Sequence, residues 1–143
     1  MAHVFGKIVL AYDGSENAKK ALDVAIRLSS SLGDSLVTVT AVDISHLYGE
    51  GVIVPQEALD KSYTRAHELL EGAVQEARSH GVEASSEVLD GEASSAVMDY
   101  AVKNGAGLII TGSRGLSAAK RFFLGSVSTK IVQESKIPVL VIK

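Results

Sequence analysis

The segment from Gly112 to Ser128 (GSRGLSAAKRFFLGSVS) gathers three glycines and four serines. Glycine leaves the backbone N–H groups unobstructed, and Ser126 opens a predicted helix. A helix N-terminus combines unpaired N–H groups with the positive end of the peptide dipole. These are the elements of a phosphate site: backbone donors, hydroxyls from Ser126 and Ser128, and a glycine, Gly125, where the chain can approach a ligand closely. Charge points the same way. Arg114, Lys120, Arg121 and Lys130 lie between Gly112 and Gln133 with no acid among them, inside a chain whose net charge is −3. A basic island in an acidic protein suits an anionic ligand. A plainer reading stays open, in which the segment is a solvated loop and Ser126 only caps the helix.

Other chemistries find no support. The P-loop string G-x-x-x-x-G-K-[ST] does not occur, and Gly105-Ala106-Gly107 lacks the third glycine of a dinucleotide fingerprint and precedes a predicted strand. His3, His46, His67 and His80 are scattered without helical pairing, which argues against zinc. His46, close to Asp43, is expected to be solvated rather than a proton acceptor, and Phe122-Phe123-Leu124 is expected to anchor its loop by packing. No serine sits in a G-x-S-x-G elbow, and the absence of cysteine removes disulfides and thiolate chemistry. The negative net charge argues against nucleic-acid binding. With no long apolar span and no cleavable leader, the expectation is a cytoplasmic protein without membrane insertion.

The elements that must position the glycine-rich segment can be traced along the chain. At 143 residues the expectation is a single domain over 1–143. Ile8 to Ala11 is a short apolar run of the kind buried on both faces of a sheet. After the Asp13-Gly14-Ser15 break, Ala18, Ala21, Leu22, Ala25, Leu28 and Leu32 recur at helical spacing, with Ser15 as the start signal and Gly33 as the stop. Leu36 to Val42 reads as a second strand, followed by a long connection over 43–54. Pro55 opens a helix running to about His80, and Gly81 ends it. Val82, Ala84, Ser86 and Val88 alternate as a thinner, edge-type third strand. Ala93 to Asn104 reads as a helix, Leu108 to Ile110 as a fourth strand, Ser126 to Ser135 as a helix, and Val139 to Ile142 as a fifth strand. The predicted class is α/β: an open twisted five-stranded parallel sheet with helices on both faces, Rossmann-like. Ligands bind such sheets at the carboxyl ends of the strands, which nominates the loops after the first, second and fourth. The last strand is apolar throughout. An open edge of that kind is expected to pair with a second copy in a symmetric homodimer, unless the 43–54 connection covers it.

The spacing Gly112-x2-Gly115-x9-Gly125-Ser126 resembles the G-x2-G-x9-G-[ST] motif of the universal stress protein family, in its ATP-binding branch. Four further stretches carry the resemblance along nearly the whole chain: Ile8 to Ser15, Ala41-Val42-Asp43, Val88 to Ala93, and Ile137 to Ile142. It implies ATP, with Mg²⁺, as the ligand. The ribose and phosphates would be wrapped by Gly112, Ser113, Arg114, Gly115, Leu116, Ser117 and Ala118, together with Gly125, Ser126, Val127 and Ser128. Asp13 would lie by the nucleotide. The adenine would be held by backbone groups of Ala11, Tyr12, Ala41 and Val42. Two other roles for Asp13 stay open, as a turn and helix-cap residue or as a water-mediated Mg²⁺ ligand. The implied function is a stress-response sensor or regulator with at most slow hydrolysis, because no residue qualifies as a base for an attacking water. The alternatives are a nucleotide-independent protein-interaction module and an adenylating enzyme, the latter disfavoured by the glycine-poor Asp13-Gly14-Ser15-Glu16.

Overall fold

The computed structural model describes residues 3–44, 51, 53–114 and 124–143. Strands and helices alternate among them as β1 (Lys7–Ala11), α1 (Glu16–Leu32), β2 (Ser35–Val42), α2 (Gln56–Ser79), β3 (Ala84–Asp90), α3 (Ala93–Lys103), β4 (Leu108–Gly112), α4 (Ser126–Glu134) and β5 (Val139–Ile142). The five strands form one sheet in the order β3-β2-β1-β4-β5, every neighbouring pair parallel. This is the predicted α/β architecture.

Each short apolar run is split by the pleat between two cores. Ile8, Leu10, Leu36 and Ile110 face α1 and α2, where they meet Ala21, Leu22, Leu70 and Ala73. Val9, Val37, Val39 and Ile109 face α3 and α4, where they meet Val97, Ala101 and Ile131. Ile8, Val9 and Leu10 are fully buried in succession, which explains why β1 shows no polar alternation. Each such side chain contributes about 1.5–3 kcal/mol of burial.

Helix α1 starts where Ser15 Oγ accepts the Ala18 N–H and stops at Gly33, whose φ of 71° is left-handed. Strand β3 begins at Ala84 instead of Val82, because the Val82 N–H still closes the end of α2 on the Ala77 carbonyl. It lies at one edge of the sheet, as its thin pattern suggested, and β5 lies at the other. Strand β4 runs on to Gly112, which pairs with Ile142. Among the described residues, no helix is long and apolar enough to cross a membrane.

From β1 the chain steps through α1 to β2 on one side, whereas β4 pairs with β1 on the other. The loops leaving β1 and β4 therefore diverge and open a crevice at the carboxyl ends of the strands.

Candidate functional site

The turn after β1 is built from its own side chains. Asp13 Oδ1 accepts the Ser15 N–H at 2.9 Å, and the Ser15 hydroxyl donates to the Arg114 carbonyl at 3.5 Å while capping α1. Gly14 has a φ of +79°, and Leu69 from α2 covers it so closely that a Cβ there would lie 2.9 Å from its Cδ1. Tyr12 is buried. Burial first, then the neighbouring Glu76 and Asp13, push its hydroxyl above the usual tyrosine range. One acid at this mouth is all the turn contributes, and among the described residues no three acids or histidines cluster to hold a metal.

Strand β2 runs past the end of β1. Their ladder ends where the Tyr12 N–H bonds the Val39 carbonyl at 2.9 Å. Ala41 is two residues further on, so its N–H and C=O point the same way as those of Val39 and have no β1 residue opposite. Val42 points to the other side, where its carbonyl accepts the Gly91 N–H at 3.0 Å. A donor and an acceptor side by side on Ala41 thus face the crevice.

The end of β4 is held from four directions at Ser113. Its N–H donates to the Ile142 carbonyl at 2.7 Å, and its carbonyl accepts the Gly125 N–H at 2.6 Å. The same carbonyl accepts the Ser128 hydroxyl at 2.8 Å. Ser113 Oγ accepts from Asn17 Nδ2 of α1 at 2.7 Å. The two flanks of the glycine-rich segment are thereby tied together. Gly112 owes its identity to close approach, since a Cβ there would come within 2.9 Å of the Asn17 carbonyl carbon.

Helix α4 has Gly125 at its cap position, and among the described residues no side chain caps it. Ser126 is exposed, whereas Ser128 is 2% exposed. The Ser128 hydroxyl also lies 3.1 Å from the Gly125 carbonyl, so it shapes this terminus from inside. Lys130 turns away from it, toward Glu92 Oε2 at 3.8 Å and Ser95 Oγ at 3.4 Å. Glu92 caps α3 by accepting the Ser95 N–H at 2.8 Å, and the Ser94 hydroxyl donates to it as well. Desolvation works to raise the Glu92 pKa. The bonds from Ser94 and Ser95, with Lys130, outweigh it and bring the carboxyl from 4.5 down to about 2.

The sequence-nominated residues Ala11, Tyr12, Asp13, Ala41, Val42, Gly112, Ser113, Arg114, Gly125, Ser126, Val127 and Ser128 lie at the carboxyl ends of three adjacent strands or at the start of α4. Gly115, Leu116, Ser117 and Ala118 lie outside the described residues, as do His46, Lys120, Arg121, Phe122 and Phe123. Asn17 was not nominated. Its signal was a polar residue in the stripe that continues through Ala21 and Ala25, the face of α1 that is buried.

The profile of the universal stress protein family matches residues 5–143. Universal stress protein YxiE of Bacillus subtilis is 34% identical over 149 residues, spanning 98% of this chain and 100% of that protein. The solved structure of the hypothetical protein MJ0577 superposes with a TM-score of 0.86 at 25% identity, covering 97% of this chain and 96% of that one. A universal stress protein from Archaeoglobus fulgidus, solved in complex with dAMP, has a TM-score of 0.71 at 24% identity and covers 98% and 99%. Profile, sequence and fold agree over almost the full length, and the chain belongs to the universal stress protein family.

Proposed function

We propose that this stress protein binds ATP with Mg²⁺ in the crevice between β1 and β4, and that it acts as a nucleotide-dependent sensor or regulator. The observation that carries the reading is the clamp at Ser113, which brings the flanks of a glycine-rich segment together at a helix start whose cap residue is a glycine. Phosphate oxygens would accept from the first N–H groups of α4 and from the Ser126 hydroxyl. Gly112 to Ala118 would wrap the ribose and phosphates, with Ser128 shaping the cradle. The Ala41 N–H and C=O present the donor–acceptor pair that complements the adenine edge, next to Ala11, Tyr12 and Val42. Asp13, in the turn after β1, is the acid that would face Mg²⁺, which takes one or two carboxylates and completes its shell with phosphates and water. The dAMP-bound relative supports an adenine nucleotide at the level of the fold. Among the described residues at the crevice we identify no general base for an attacking water, and the reading is of hydrolysis that is slow at most.

The test is mass spectrometry of nucleotide released from the native protein, followed by calorimetry. ATP should outcompete GTP, and its binding should weaken with added salt. Equal affinity for ATP and GTP would remove the adenine pocket, and no binding of either would remove the reading altogether.

We further propose that the protein is a homodimer joined through β5. Ile142 faces β4, since its carbonyl accepts the Ser113 N–H. Val139 and Val141 therefore turn their backbone groups to the outer edge of the sheet, where no described strand pairs with them, and the strand is part-exposed throughout. Val141→Pro removes one edge donor. Light scattering should find a wild-type dimer and a weakened one for the variant; a monomeric wild type, or an unaffected variant, would contradict this.

A further inference from the structure

A buried asparagine in the first turn of a helix needs a reason. Asn17 is 7% exposed and Ser113 6%, and an amide at that depth costs free energy unless it is bonded. Helix capping is not the reason, because Ser15 already caps α1. The partner of the Asn17 amide lies 96 residues away, on the strand that enters the glycine-rich segment.

The chemistry of that bond is directional. The amide nitrogen only donates, so Ser113 Oγ is the acceptor and the hydroxyl keeps its own proton. Both backbone groups of Ser113 are already committed, the N–H to Ile142 and the carbonyl to Gly125 and Ser128. The backbone is therefore fixed at the mouth of the crevice, and the direction in which the hydroxyl donates is the remaining freedom. Gly112 presses on Asn17, with room for no Cβ between them, so the amide and the strand keep their registration.

We propose that Asn17 is a positioning residue for the phosphate end of the nucleotide site: by donating to Ser113 Oγ, it turns the Ser113 hydroxyl into a donor for a phosphate oxygen of the bound nucleotide. The proposal rests on the nucleotide reading above and adds to it a residue of α1 and a polarity for the Asn17–Ser113 pair. It predicts that α1 contributes to phosphate affinity through Ser113 and not by touching the ligand.

Asn17→Asp has almost the same shape and retains a hydrogen bond, but a carboxylate only accepts. It would reverse the bond, draw the Ser113 proton toward α1 and place a negative charge behind the phosphates. Asn17→Ala removes the bond altogether. The experiment is calorimetry with ATP and with adenosine on Asn17→Asp, Asn17→Ala, Ser113→Ala and the Asn17→Ala/Ser113→Ala double variant, with melting temperatures measured alongside. Asn17→Ala and Ser113→Ala should each weaken ATP about tenfold, and Asn17→Asp should weaken it more. Adenosine binding should be nearly unchanged. In the Ser113→Ala background, Asn17→Ala should cost no further affinity. If Asn17→Ala melts too low to titrate, Asn17→Asp alone decides by the difference between ATP and adenosine.

Unchanged ATP affinity in the single variants would overturn the proposal, as would an equal loss for adenosine or a full additional loss in the double variant. A wild-type protein that binds neither ATP nor adenosine would instead overturn the nucleotide reading itself.

Discussion

Helices α3 and α4 pack on the same face of the sheet, yet they begin in opposite ways. At α3 the chain supplies its own anion: Glu92 accepts from Ser94 and Ser95, and Lys130 stands beside it. At α4 the cap position is Gly125, and among the described residues no side chain accepts from the N–H groups of the first turn. The cation that α4 carries is directed to the neighbouring terminus. A helix start neutralised from within has no electrostatic use for a ligand, whereas one ended by glycine keeps its N–H groups for an anion from outside. The difference separates a helix terminus satisfied by its own chain from the one we propose to bind nucleotide, within a single core.

The most disruptive way to break this comparison is to unseat the strand that leads to the open terminus. Gly112→Val would drive a side chain into the backbone at Asn17 and Ala18, where even a Cβ comes within 2.9 and 3.1 Å. The expected cost is about 1–3 kcal/mol or more, read as a lower melting temperature together with loss of ATP binding. An unaffected melting temperature would show that β4 and α1 can separate freely.

A smaller effect is expected at the self-satisfied terminus. Folding lowers the Glu92 pKa from 4.5 to about 2, so its stabilisation is complete above pH 4.5 and is lost as the pH falls toward 2. Glu92→Gln should remove that part of the acid sensitivity and cost less than about 1 kcal/mol at neutral pH, since water screens this half-exposed group. ATP affinity should be unchanged. Denaturation of both proteins across that pH range measures the first expectation and calorimetry the second; parallel curves, or a weakened ATP site, would contradict the contrast with α4.

The same contrast separates what the sequence makes legible from what it hides. Periodicity marks α1, and Ser15 and Gly33 mark its ends, because caps and stops act over a few residues. The buried runs at Ile8–Ala11 and Leu108–Ile110 are readable because strands covered on both faces have no other composition. The glycine-rich segment is readable by residue type. Hidden from view is everything that depends on which elements become neighbours. Lys130 counts as part of a basic island until α3 brings Glu92 to it. Ser128 reads as a phosphate donor until its hydroxyl is found closed onto the Ser113 carbonyl. Asn17 looks like an ordinary helix residue until β4 lies against it. Strand β3 starts two residues later than its alternation suggests for a related reason, since the Val82 N–H returns to α2, a bond no alternation pattern encodes.

The central claim is that α4 begins with an N-terminus open to a nucleotide phosphate. Its most direct test gives α4 the arrangement found at α3. Gly125 has φ −67° and ψ 167°, a conformation any residue adopts, so Gly125→Asp installs an internal anion at the cap without backbone strain. Calorimetry with ATP, together with thermal unfolding, should find nucleotide binding lost while stability is unchanged or raised by a few tenths of a kcal/mol. ATP binding as tight in Gly125→Asp as in the wild type would contradict the account.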